Sequence, residues 1–265
     1  MEQTGMKQII EIIKEEIISE YAELIDYLVD NKLQTEFETA IANFAFWSEY
    51  IKSNNRKTTD IYLSNLKTVY QTAFNQYFTY SEADPNTITG VTENGRYQPE
   101  LVIPENVTTI GEGAFEGCKY LIKVTLPKTL LRIAHSAFKD CSSLEHIDIP
   151  ESVIEIGREA FDGCSFSTFV LPNTVITIGD HAFYECKNLK SIVIPERVTD
   201  IGDCAFYGCK SLEYIELSES VTDIGDFVFY GCESLEKIII PNSVTTIGYY
   251  AFEKCKSLKS IILSD

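Results

Sequence analysis

Between Met6 and Asp30 apolar residues return every three or four positions, at Ile9, Ile13, Ile17, Tyr21, Leu24 and Leu28. That spacing lines one face of an α-helix. It recurs from about Thr35 to Lys52 with Phe37, Ile41, Phe44, Trp47 and Ile51. A third stretch starts near Thr59, a suitable N-cap, and continues through Leu63, Leu66, Tyr70, Phe74 and Tyr77. The connectors are short, which favours antiparallel neighbours. Residues 1–80 are therefore expected to form a three-helix bundle. The segment SEADPNTITGVTENGRYQPE, residues 81–100, carries the Pro, Gly and Asn signals of a linker or an irregular N-terminal cap.

From residue 101 the pattern changes to a strict repeat. Cysteines fall at 118, 141, 164, 186, 209, 232 and 255, and a Phe precedes each by three residues, from Phe115 to Phe252. Pro104, Pro127, Pro150, Pro172, Pro195 and Pro241 keep the same interval of 22 or 23 residues, with Ser218 in the remaining place. A fixed period over seven units is the signature of a solenoid. In the clearest unit Leu189, Ile192 and Ile194 end in period-2 alternation, which predicts a short strand closed by Pro195. Val198 and Ile201 give a second inward stretch, and Gly202 is read as permitting a tight corner. Ala205, Phe206 and Cys209 have the spacing of one inward-facing helical turn. About eight inward apolar positions per coil are too few to fold alone, so stacking must make the core continuous. The Cys164 unit is one residue short, with Phe166 in the strand Leu position, and predicts a small local deformation.

The unit G-x-x-A-F-x-x-C-x-x-L-x-x-I-x-I-P recurs almost whole at Gly111 to Pro127, Gly157 to Pro172, Gly179 to Pro195 and Gly202 to Leu217. It resembles the BspA-like (Treponema-type) leucine-rich repeat family over residues 101–265. Ala134 departs from it at the corner Gly, and Val228 replaces the Ala before Phe229. For residues 101–265 the resemblance implies a right-handed solenoid of about seven 23-residue coils with a parallel sheet; with the helical bundle before it, the chain is expected to be α+β. It also implies that the outward strand positions line a concave, partner-binding face. Lys123, His146, Val170, Val193, Tyr214, Glu216, Lys237, Ile239 and Ile262 are the candidates there. Outward apolar pairs such as Val170 with Val193 also suit β-propensity along a ladder. Tyr214 is the best single anchor, since Tyr is favoured at interface hot spots.

Charge narrows the partners. The chain has 40 acidic and 22 basic side chains, a net charge of −18. The first 80 residues account for −5 of it and the remainder for −13. A polyanion is repelled by nucleic acid and by anionic membranes. No apolar run is long enough for a membrane span, and no signal peptide or anchor is visible, so as written the chain is expected to stay in the cytoplasm. The family precedent is a microbial surface or secreted protein that adheres to host proteins. The alternative is an intracellular acidic inhibitor or regulator of a basic, nucleic-acid-binding protein.

Eight cysteines would suit a disulfide set or a metal site, but there is no C-x-x-C and no Cys/His cluster of zinc-finger spacing. One Cys per coil reads as a buried column of small apolar groups. Cys204 lies off that column, aligned with Gly113, Ser136, Glu159 and His181, and is expected to be the reactive thiol. His135, His146 and His181 do not stack, and no nucleotide, hydrolase or metalloprotease motif is present. The expectation is a non-enzymatic protein-binding module without metal or cofactor. The sequence stops inside the strand of its seventh unit, at Ile261-Ile262-Leu263-Ser264-Asp265, so either that edge pairs with a partner or, in self-association, with a second copy, or it is the cut end of a longer chain.

Overall fold

The computed structural model of the protein describes residues 77–264. The expected helical bundle lies, up to residue 76, outside the described residues, and its last residues, Phe78–Tyr80, form a strand instead, because they pair with the following segment of the solenoid. In chain order the elements are β1 (Phe78–Tyr80), β2 (Thr87–Val91), α1 (Glu93–Arg96), β3 (Glu100–Val102), β4 (Thr109–Ile110), β5 (Lys123–Thr125), β6 (Arg132–Ile133), β7 (His146–Ile147) and β8 (Glu155–Ile156). They continue with β9 (Thr177–Ile178), β10 (Ser191–Val193), β11 (Asp200–Ile201), β12 (Tyr214–Glu216), β13 (Asp223–Ile224), β14 (Lys237–Ile240), β15 (Thr246–Ile247) and β16 (Ser260–Leu263).

Each coil except the short Cys164 unit contributes two short strands, and the coils stack in register. One line of strands forms a nine-stranded sheet in the order β1-β2-β4-β6-β8-β9-β11-β13-β15, parallel throughout except for the antiparallel pair β1–β2. Its register places Ile88, Ile110, Ile133, Ile156, Ile178, Ile201, Ile224 and Ile247 one above the other. There are thus about eight coils rather than seven. The additional one precedes the first cysteine unit, where β2 supplies the strand and the hairpin with β1 covers its outer edge. The second line of strands is broken into β3-β5-β7, β10-β12 and β14-β16. The single parallel sheet expected from the sequence is therefore one continuous sheet and one interrupted line.

The core lies between the two lines and is built of columns. Phe115, Phe138, Phe161, Phe183, Phe206 and Phe229 are fully buried, and successive rings along the column to Phe252 stack with centroids 4.8 to 5.9 Å apart. Most Leu, Ile, Val and Ala positions of the repeat are buried beside them, while Ile147 and Ile149 are half-buried and Ile247 and Ile261 are exposed. Coils about 4.8 Å apart bring identical side chains into van der Waals contact, so each column is a continuous apolar rod. The short Cys164 unit fills the space of its missing residue with aromatic volume. Phe166 and Phe169 pack against each other at 4.7 Å and against Phe161 and Phe183.

Two local readings of the sequence are corrected. The inward segment around Ala205 to Cys209 is not a helical turn. Alternate amides bond three residues back, Ala205 N to Gly202 O, Tyr207 N to Cys204 O and Cys209 N to Phe206 O, while those of Cys204, Phe206 and Gly208 donate to Asp226, Val228 and Tyr230 of the next coil, so it is a chain of tight turns. These i to i−3 bonds let the backbone bend around a small Ala, Phe and Cys core. Among the described residues the one α-helix is α1, capped by Thr92.

Nor is Gly202 a corner glycine in the sense of a left-handed backbone. A Cβ there would lie 2.5 Å from the Asp180 backbone N and 2.7 Å from the Gly179 carbonyl carbon. Glycine serves close approach of one coil to the previous one. The left-handed positions fall two and six residues later. They are Gly113, Ser136, Glu159, His181, Cys204, Phe227 and Tyr250, and then Gly117, Asp140, Gly163, Glu185, Gly208, Gly231 and Lys254. Most carry side chains that bear the cost of positive φ, about 1–2 kcal/mol per residue, because the coils on both sides hold the turn in place.

Candidate protein-binding surface

The interrupted line of strands presents its outward side chains as columns. Lys123 pairs with His146 across β5 and β7. Ser191 pairs with Tyr214 and Val193 with Glu216 across β10 and β12. Lys237 pairs with Ser260 and Ile239 with Ile262 across β14 and β16. All nine residues expected at the binding face are exposed. Val170 is the barest of the apolar ones at 77% exposure, followed by Val193 and Tyr214 at 51%. The alternation that points Ile192, Ile215 and Ile238 into the core turns these neighbours outward. The Tyr214 hydroxyl donates to Glu216 Oε2 at 2.7 Å, which holds the ring along the strand and raises its pKa above the usual tyrosine range.

The structure does not bring the nine residues onto one unbroken sheet. At the short coil the ladder reduces to a single bridge between Thr168 and Ser191. The strand falls back there and leaves a polar depression lined by Glu145, His146, Ser165, Ser167, Thr168, Asn188, Lys190 and Ser211. The deformation expected from the missing residue thus interrupts this face while the nine-stranded sheet runs on through β8 and β9.

The opposite, nine-stranded face and the turns hold features that the repeat pattern concealed. Leu131, Ile154 and Ile176 are exposed on three successive coils of the long sheet. On the turns, Asp180 Oδ1 accepts from Asp203 N at 3.0 Å, Asp203 Oδ1 from Asp226 N at 2.7 Å, and Asp226 Oδ1 from Tyr249 N at 2.5 Å. Each carboxylate caps an amide of the next coil. Beside this rail the rings of Tyr184, Tyr207 and Tyr230 stack at 4.8 and 4.6 Å. A residue-by-residue reading classes the acidic residues as solvated charge. The signal that finds the rail is the same one that finds the cysteines: identity at the 23-residue interval.

In the family comparison, the model described as BspA type leucine rich repeat region matches in six copies over residues 94–165 and 154–265. The chain belongs to the BspA-type leucine-rich repeat family. The leucine-rich repeat protein TpLRR of T. pallidum is similar at 27% identity and a TM-score of 0.62, with 71% of this chain and 90% of that one covered. A leucine-rich repeat protein from Bacteroides ovatus is similar at 28% identity and a TM-score of 0.52, covering 72% of this chain and 62% of that one. A model described as Replication protein RepB, C-terminal, matches residues 3–56. No curated protein is significantly similar. No catalytic family is indicated for the BspA-type region, and no helix among the described residues is long and apolar enough to cross a membrane.

The BspA-type cysteine column has a bonding role in this chain beyond filling space. The thiols of Cys141, Cys164, Cys186, Cys209, Cys232 and Cys255 each donate to the carbonyl of the Phe one coil earlier, at 3.0 to 3.3 Å. Each gives a second bond to a carbonyl that already accepts from the amide three residues on, such as Phe183 O from Cys186 N. All eight cysteines are free, and six of the seven in the column are buried. Cys255 is half-buried like Cys204, so two thiols, not one, are accessible. Burial pushes Cys255 up to about 11. Burial, joined by Asp203, Asp180 and Asp226, pushes Cys204 up as well. A thiol reagent on the native protein is therefore expected to modify Cys204 and Cys255 slowly at pH 8 and faster as the pH rises past 9, since the thiolate is the nucleophile. The other six react only on unfolding. Peptide mapping that found Cys209 labelled as fast as Cys204 would contradict this.

Proposed function

We propose that this chain is a non-enzymatic protein-interaction module whose partner docks on the face of β5, β7, β10, β12, β14 and β16. The observation that carries the reading is the group of exposed apolar side chains there, Val170, Val193, Tyr214, Ile239 and Ile262, of which Ile239 and Ile262 pair in register, set among Lys123, His146, Glu216 and Lys237. An apolar centre within a charged rim is the anatomy of protein interfaces. The solenoid backbone holds these groups at fixed spacing, so little ordering entropy is lost on binding. The partner class that suits the family is a host surface or matrix protein, with this chain at the microbial surface. On this reading the residues before β1 are a separate helical domain, the coil of β1 and β2 is the N-terminal cap of the solenoid, and residues 101–265 are the binding domain.

The test is binding of the full chain to a panel of immobilised extracellular-matrix proteins. Tyr214→Asp with Ile239→Asp is expected to lower affinity at least tenfold. Both side chains are about half exposed, so the thermal transition should move little, within about 0.5 kcal/mol of stability. Unchanged affinity in the variant would refute the face assignment. Failure of the wild-type chain to bind any of the matrix proteins would refute the adhesion reading.

A further inference from the structure

The turn face of the solenoid changes character along its length. Between residues 135 and 162 its charges neutralise one another. Lys139 pairs with Glu159 and, at 3.1 Å, with Asp162, while Arg158 pairs with Glu159 at 3.1 Å. From residue 180 onward the same positions carry Asp180, Asp203 and Asp226 in one column and Tyr184, Tyr207 and Tyr230 in another. Among the described residues, none of these three aspartates has an ion-pair partner; each is bonded through Oδ1 to a backbone amide. Asp180 and Asp203 are exposed and Asp226 half-buried. Glu185 and Glu253 add to the negative field, and Lys187 answers only Glu185, at 2.6 Å.

The aromatic wall beside this rail is extensive. Tyr184, Tyr207 and Tyr230 are half-buried. His181 lies 5.3 Å from Tyr184, Phe227 stacks on Tyr250 at 5.1 Å, and Tyr249 and Tyr250 are 76% and 59% exposed. Stacking covers the ring faces between Tyr184 and Tyr230, so along the side the wall offers ring edges and hydroxyls. At its end the Lys254 ammonium sits over Tyr230, 4.7 Å from the ring centroid. The molecule itself thus fills with a cation the ring face that stacking leaves open.

We infer that this face, the aspartate rail with the tyrosine wall beside it, is a second interaction surface that takes an extended lysine- or arginine-rich segment of another protein. The match is chemical. Lysine and arginine carry long aliphatic stems that lie along apolar surface while their charged heads reach outward. Here the stems lie along the Tyr184–Tyr207–Tyr230 wall and the heads reach Asp180, Asp203 and Asp226. Carboxylates repeating once per coil, about every 4.8 Å, suit a continuous cationic segment better than one point charge. The stretch of the same face where Lys139 and Arg158 pair with Glu159 and Asp162 does not offer this. The surface lies apart from the strand face around Tyr214 and Ile239, so the two proposals stand or fall separately.

The experiment uses the full chain and fluorescein-labelled octa-arginine, read by fluorescence anisotropy at 150 mM salt. Asp180→Asn/Asp203→Asn/Asp226→Asn keeps the oxygen that accepts each backbone amide while removing the charges. Glu151→Gln/Glu196→Gln/Glu219→Gln removes the same charge from exposed positions on another side of the coils. The first variant is expected to weaken peptide binding at least tenfold and the second less than twofold. Tyr207→Ser is expected to weaken it several-fold at unchanged net charge, and the Tyr214→Asp/Ile239→Asp variant to leave it intact. Equal losses from the two charge-matched triples would mean diffuse attraction to a polyanion and would overturn the proposal, as would no binding by the wild-type chain. Thermal melting monitored by circular dichroism separates loss of binding from loss of fold.

Discussion

Replacing Phe206 by Ala is expected to lower the free energy of unfolding by about 3–5 kcal/mol. The ring is fully buried and sandwiched between Phe183 at 5.3 Å and Phe229 at 5.9 Å, with interplanar angles of 4° and 6°. Removing it takes away the apolar area of one side chain and the facing contacts of two more. Coils on either side are held in register by two lines of strands and cannot collapse into the gap. The solenoid couples only nearest neighbours, so a hole at this height also weakens communication between the two halves. Urea unfolding followed by circular dichroism should therefore show a lower midpoint and a broader transition. Phe252→Ala is the internal comparison. Phe252 is half-buried and stacks in this column on Phe229 alone, at 5.4 Å, so it should lose clearly less. Equal losses at the two positions would contradict a core in which burial between neighbouring coils supplies the stability.

The second large effect separates two reasons for glycine. Gly202→Asn should destabilise the fold by about 3 kcal/mol, the upper part of the range for overpacking. Its Cβ would press on the backbone of Asp180 and Gly179, which can yield only if the two coils part. Ala134 occupies this column naturally, so a single methyl can be taken up there, while a larger group strains every strand pair nearby. Gly117→Asn is the counterpart. Gly117 has φ +68, and a Cβ added to it would meet nothing within 4 Å. Asn is one of the residues that visits the left-handed region most readily. Its cost should be under about 1 kcal/mol. If Gly202 served a left-handed corner the order would reverse, because Asn would then suit it well. Urea midpoints of the two variants decide between these.

Much of this fold is legible in one sequence because a repeat reports each position seven times over. A buried Cys or Phe is ambiguous in a single window, but seven at a fixed interval are not. The inward strand residues Val124, Ile192, Ile215 and Ile238 are buried as the alternation requires, and Ile147 is half-buried. The nine candidate binding residues are exposed for the same reason, since a strand that turns one neighbour inward turns the next outward. What spacing does not encode is local backbone geometry. The interval between Ala205, Phe206 and Cys209 is the same for one turn of helix as for linked tight turns, and only the hydrogen bonds to Gly202, Cys204 and Phe206 tell them apart. The coil built on β2 is hidden in the sequence because it carries Ile88 in the ladder without the Cys that marks the others.

The repeat, its length, the membership of the columns and the alternation that separates core from surface follow from covalent spacing and the two-residue period of a strand, and are read from the order of residues alone. What happens between coils follows from how they pack. Close approach of Gly202 to Asp180, the thiol bonds to phenylalanine carbonyls, the aspartate rail on the backbone of the next coil and the break in one strand line beside the short unit all join residues about 23 positions apart. Such contacts depend on the height and offset at which one coil settles on another, and packing of the whole stack sets both.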